Sequence, residues 1–168
     1  MRVRAEGGRD IAAIAAVHEA AFGSEAEAVL VAALRASAGW IPELSLVAEA
    51  DGQVVGHVLL TRIDIVGTRP GEALALAPIG VMPGWQRRGI GARLVRQALA
   101  EAAALGHQLT VVLGHPAYYP RFGFLPARPL GVLPPFEVPD DAWMALDLAG
   151  RGNYPRGTVR YPPAFARL

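Results

Sequence analysis

The stretch VMPGWQRRGIGARLVR, residues 81–96, gathers Arg87, Arg88, Arg93 and Arg96 where the pattern reads as the start of a helix, and no Asp or Glu occurs between Val81 and Ala100. A helix N-terminus presents unpaired N–H groups and the positive end of the macrodipole, so it normally attracts acids. Two adjacent arginines there oppose the local electrostatics unless an anion is to arrive. Gly89 and Gly91 let a bulky phosphate approach the backbone, which makes the segment a candidate anion cradle. The plain alternative is a solvated basic helix face; helix start, glycine spacing and missing acids together argue against it.

Proton-moving groups lie elsewhere in the chain. His57, in a strand-like run, and His115, at a strand end beside Tyr118 and Tyr119, titrate near neutrality and are candidate bases, although His57 reads equally well as a strand residue. Tyr119 reads as a packed ring, as a functional hydroxyl, or as both. Asp64 and Glu72 read as surface charges at hairpin ends. No two His, Asp or Glu residues have metal-ligand spacing, so no metal is expected. With no cysteine in the chain there is no thiolate zinc site and no cysteine nucleophile, and any group transfer should be direct.

The elements that must position these residues follow from periodicity and punctuation. A short strand begins at Val3, and Asp10 caps a helix to Ala21 with Ile11, Ile14, Ala15 and Val17 facing inward. Ser24 caps a second helix toward Ala36, with Val29, Leu30, Ala33 and Leu34 as its stripe. SLVAEA and QVVGHVLLTRIDIV flank Asp51-Gly52, a hairpin signal. After a turn over Thr68 to Gly71, EALALAPIGVMP is a strand that Pro78 and Gly80 make irregular just before its end. The arginine-rich helix then runs from about Gln86 to Leu105, with Ile90, Leu94, Ala98, Ala102 and Leu105 inward and Gly106 just past its end. QLTVVLG is a buried strand, HPAYYPRFG a short helix, and FLPA and WMALDLA are further strands. Strand, helix, strand implies a right-handed crossover with parallel pairing, hence a mixed α/β sheet.

At 168 residues, with net charge +1 and 52% hydrophobic residues, the chain is neither disordered nor a general nucleic-acid binder. It reads as one domain over residues 1–168. The N-terminus carries scattered charges and does not read as a signal peptide, and no apolar run has transmembrane length, so the expectation is a cytoplasmic protein that does not bind membranes.

Nucleotide motifs are not satisfied. Gly84 and Gly89 have P-loop spacing, but Ile90 and Gly91 follow instead of Lys and Ser or Thr, and Leu94 replaces the last glycine of a dinucleotide fingerprint starting at Gly89 and Gly91. What matches is Gln86-Arg87-Arg88-Gly89-Ile90-Gly91 after Val81-Met82-Pro83, which resembles the acetyl-CoA signature of the GCN5-related N-acetyltransferase (GNAT) superfamily. Tyr119 four residues before Gly123-Phe124 matches a second segment of that family, and the run LGHPAYYPRFGF resembles its YhbS-type branch. The resemblance covers most of residues 1–127; residues 128–168 would add a C-terminal strand and a proline-rich tail.

The resemblance implies the GNAT fold: a central, twisted, mostly antiparallel mixed sheet with helices on both faces and a parallel pair splayed at the acetyl-CoA site. It implies an acetyl-CoA-dependent N-acetyltransferase acting on the amine of a small molecule or protein, and it allows a homodimer. The pyrophosphate would be held by amides of Gln86, Arg87, Arg88, Gly89, Ile90, Gly91 and Ala92. The pantetheine arm would pair with Ile79, Gly80 and Val81, with amides near Gly80 and Val81 polarising the thioester. Tyr119 would be the general acid for the leaving thiolate. Trp40, Ile41 and the stretches PLGVLPPFEVPDD and NYPRGTVRYPPAF would line the acceptor site; they are apolar with few acids, which disfavours a polycationic acceptor. A CoA-binding module without turnover is the rival reading.

Overall fold

The computed structural model describes residues 1–167. Its elements are β1 (Arg2–Ala5), α1 (Ile11–Phe22), α2 (Ala26–Arg35), β2 (Ser45–Ala50), β3 (Gln53–Arg69), β4 (Gly71–Val81), α3 (Ile90–Ala104), β5 (Leu109–Leu113), β6 (Leu125–Pro126), β7 (Val132–Leu133), β8 (Trp143–Asp147) and β9 (Arg156–Arg160). Among the described residues the strands form one sheet in the order β1-β2-β3-β4-β5-β8-β6, with β9 pairing β3 and β7. β4 runs parallel to β5 while β1 through β4 are antiparallel, as the strand-helix-strand order requires.

Helix α3 covers one face through Ile90, Leu94, Val95, Ala98 and Ala102, which meet Leu46, Val58, Leu60 and Leu74. Helices α1 and α2 cover the other: Ile14, Leu30, Val31 and Leu34 lie against Val47 and Leu59. On that second face the core continues under Trp143, Tyr154 and Val159, against which Tyr161 and Phe165 pack.

The β2–β3 hairpin turns where Asp51 and Gly52 both take positive φ, 50° and 75°, as a two-residue primed turn demands. The next turn is tighter than the sequence suggests, since β3 runs on to Arg69 and β4 begins at Gly71. α3 ends in a Schellman arrangement, His107 N–H to Ala102 O and Gly106 N–H to Ala103 O, with Gly106 at φ 88°.

Several expectations need correction. Ile11, Val29 and Leu105 are exposed, and His18 and Val31 take inward positions. Asp10 precedes α1, but its carboxylate makes no cap bond; it accepts from Arg4 at 2.7 and 3.0 Å and from the Gly7 N–H instead. α2 begins after Glu25, with Ser24 Oγ accepting weakly from Ala26 N–H at 3.4 Å. α3 starts four residues later than expected, because Arg87 and Gly89 adopt left-handed φ of 63° and 80° that a helix cannot propagate. The segment after β5 forms only a 3₁₀ turn over Tyr119–Phe122.

Candidate active site

The irregularity expected in β4 is a bulge. Val58 pairs Ile79 while Leu60 pairs Leu76, so β4 carries one extra residue at Ala77-Pro78, whose peptide is cis. Past it, Met82 N–H donates to Val55 O at 2.8 Å, and His57 lies opposite Gly80. Antiparallel alternation then turns the N–H and C=O of Gly80 toward β3 and those of Ile79 and Val81 away from it. The side chain of Gln86 donates to Val81 O at 3.0 Å from that outward side. β5 does not fill the gap: its pairing with β4 is confined to Leu74–Thr110 and Ala75–Val111. Ile79 and Val81 therefore offer backbone to the gap, and Gly80 does not.

The α3 N-terminus closes the end of this gap. The first amide of the helix to find a partner is Arg93, bonded to Gly89 O at 3.1 Å, which leaves the N–H groups of Ile90, Gly91 and Ala92 without helical acceptors. Gly91 brings them close: a Cβ there would stand 3.8 Å from Val81, 3.9 Å from Ile79 and 3.4 Å from the Tyr118 hydroxyl. Arg87, Arg88 and Gly89 are exposed, and Arg88 lies over the Trp85 ring at 4.9 Å. Cationic side chains and orphan amides thus converge beside a free strand edge, which fits a long ligand with an anionic middle and a hydrogen-bonding arm.

Tyr119, in the turn after β5, sets its ring against Gly114, where a Cβ would clash with it, and meets Phe124 edge-to-face at 5.8 Å between centroids. It is 8% exposed, and burial pushes its hydroxyl up to about 12, so it stays a proton donor at every physiological pH. His115 is exposed at the start of the following turn.

On the face opposite α3, the splay of β4 from β5 opens into a cavity of about 680 Å³. Ala75, Ala77, Val111 and Leu113 form its floor, and Phe136, Tyr161 and Phe165 its walls. Pro135 and Phe136 of PLGVLPPFEVPDD, and residues 159–163 and Phe165 of NYPRGTVRYPPAF, line this cavity. Trp40 and Ile41 do not line it: Trp40 packs beside Arg35, and Ile41 belongs to the core under α3.

A buried polar chain escaped the sequence reading. Ser45 donates its one proton to Glu6, so its oxygen must accept from His57 Nε2–H at 2.8 Å. His57 Nδ1 then accepts from His18 Nε2–H at 2.8 Å, leaving His18 Nδ1 unprotonated, fully buried and without a partner. That nitrogen faces Gly80, where a Cβ would stand 2.8 Å away. Burial would push Glu6 up, but the nearby His57 ring and the bonds from Arg35 and Ser45 outweigh it and hold the carboxylate at about 2. Burial pushes His18 down to about 3 and His57 also down, against the pull of Glu6. The available signal was a histidine in phase with Ile14 and Val17 on α1, matched by another in phase with Leu59 on β3.

These histidines set a pH limit on stability. Both are neutral when folded and protonate near 6.5 when unfolded, so the unfolded state binds more protons below that pH and stability falls as pH drops. At pH 5 the loss is about 2 kcal/mol for each histidine that stays neutral. Thermal melts at pH 7.5 and 5.0 should show the drop, and His18→Leu should flatten it; an equally steep fall in that variant would exclude His18 as its source.

The model of the Acetyltransferase (GNAT) family matches residues 13–124. The chain is 37% identical over 156 residues, 90% of it and 86% of the relative, to the uncharacterized N-acetyltransferase YjhQ of Escherichia coli K12. A crystal structure of E. coli YhbS in complex with CoA superposes with a TM-score of 0.91 at 31% identity, covering 99% of this chain and 92% of that one. A GNAT family acetyltransferase from Brucella melitensis in complex with acetyl-CoA superposes with a TM-score of 0.80 at 34% identity, covering 98% and 97%. The bulged strand, the splayed parallel pair and the glycine-rich helix start are thus set in a chain that belongs to the GNAT acetyltransferase family and is similar over most of its length to the YhbS-type members.

Proposed function

We propose that this protein transfers the acetyl group of acetyl-CoA directly to an amine. The observation that carries this reading is the junction of β4 and α3: a strand edge freed by a bulge, meeting three orphan helix amides in a stretch, residues 81–100, that holds no acid. Residues 86–92 would take the pyrophosphate, with Arg87 and Arg88 adding charge, and Ile79 and Val81 would pair with the pantetheine arm. An outward N–H of that edge can polarise the thioester carbonyl as the nitrogen attacks, and Tyr119 can protonate the departing thiolate.

The test is calorimetry of the purified protein with acetyl-CoA, followed by amine-dependent release of CoA thiol. Micromolar binding with amine-dependent release supports the reading. Binding without release across a broad amine panel would leave a CoA-binding module, and no binding would remove acetyl-CoA altogether.

A further inference from the structure

The cavity on the face opposite α3 has a composition that selects among amines. Its 680 Å³ is the size of a small-molecule site. Among the described residues fifteen line it, and they include no carboxylate side chain and no histidine. The only ionised side chain among them is Arg160, which is exposed and pairs with Asp64 at 3.2 Å. The walls are aromatic: Tyr161 stacks on Phe136 with centroids 6.2 Å apart and planes 11° apart, and meets Phe165 at 4.9 Å. Apolar surface continues at the mouth, where Phe136 is 46% and Leu113 45% exposed, although such side chains are ordinarily withdrawn from water.

A polyamine or a lysine-rich peptide brings several ammonium groups, and the described lining of this cavity offers none of them a carboxylate. Each would lose hydration with no compensating charge, and Arg160 would repel it. A molecule with one amine and a hydrocarbon body gains from the same walls by burying apolar surface, at roughly 25 cal/mol per Å². Such an amine also resolves the missing base. If it enters as R–NH₂, the N–C bond forms as the C–S bond breaks, and the proton lost from nitrogen equals the one the thiolate gains. No side chain has to end the reaction charged.

Resting on the acetyltransferase reading, we propose that the acceptor is a small, largely apolar primary amine with a single basic nitrogen. Its aromatic or branched alkyl body lies among Phe136, Tyr161 and Phe165, and its nitrogen reaches the opening between β4 and β5 near Ala77 and Leu113.

The experiment compares phenethylamine, isopentylamine, spermidine and a lysine-containing peptide as acceptors for the full chain, with acetyl-CoA binding measured separately. The expected kcat/KM for phenethylamine is at least 100-fold above that for spermidine. Phe136→Asp should lower kcat/KM for phenethylamine at least tenfold while leaving the acetyl-CoA Kd unchanged. Leu113→Asp, at the other exposed rim position, should do the same and guards against a folding defect in the first variant. Preference for spermidine or the peptide, or indifference to both variants, would each overturn the proposal. Failure to bind acetyl-CoA, or binding with no amine turned over, would instead overturn the reading on which it rests.

Discussion

Gly89→Glu should abolish acetyl-CoA binding, raising Kd at least 100-fold, or about 2.7 kcal/mol, by calorimetry. Gly89 is the residue before α3, at φ 80°, with nothing within 4 Å of the position its Cβ would take. The new side chain therefore meets open space and not the protein core. The left-handed backbone costs a non-glycine residue about 1–2 kcal/mol, and a carboxylate at a helix N-terminus returns part of that. The protein should remain folded while its cradle turns from attractive to repulsive for a pyrophosphate. Gly89→Ala is the control: it carries the same backbone strain without charge and should lose much less affinity. Equal binding by wild type and Gly89→Glu would mean that the loop does not hold the anion.

Tyr119→Phe should lower turnover about 100-fold with the acetyl-CoA Kd changed less than threefold, the pattern of a group that acts in the transition state. The ring is locked by Gly114 and Phe124, so losing one oxygen should not move it. Because burial holds the hydroxyl at about 12, the wild-type rate should show no basic limb from this residue below about pH 10. Tyr118, whose hydroxyl stands near Gly91, supplies the comparison. Tyr118→Phe should leave turnover within about threefold. Were Tyr118→Phe the damaging change and Tyr119→Phe silent, the acid would have been assigned to the wrong neighbour.

Local chemistry in the sequence was a good guide wherever a residue's own backbone preference decided the outcome. Asp51-Gly52 turned, Pro78 and Gly80 flanked a bulge, and Gly106 ended α3, each for a reason carried by that residue. The same logic picked out the junction of β4 and α3 but set the helix four residues early, since nothing about Arg87 announces a positive φ. Tertiary partners were harder to see. Asp10 looked like a cap until Arg4 competed for it, and Ile11 looked inward because one helix supplies the period but not the phase. His18 and His57 lie 39 residues apart, and only the packing of α1 across β3 reveals that they form one chain ending at Gly80. β9 was missed because RGTVR is polar and short; it becomes a strand because the second half of β3 offers it an edge.

The pairing of β9 with β3 has a consequence for the order in which the site is built and lost. Arg160 and Asp64 are joined across 96 residues of sequence, whereas the cradle lies within residues 79–92. Contacts that close long loops form late and reopen early when few neighbours hold them. Hydrogen exchange in the native protein should therefore find the amides of residues 156–160 opening at lower free energy than those of 74–76 in the middle of β4. The two halves of the site would then melt separately, and passage of the acceptor would depend on the fraying of one peripheral strand while the domain as a whole stays folded.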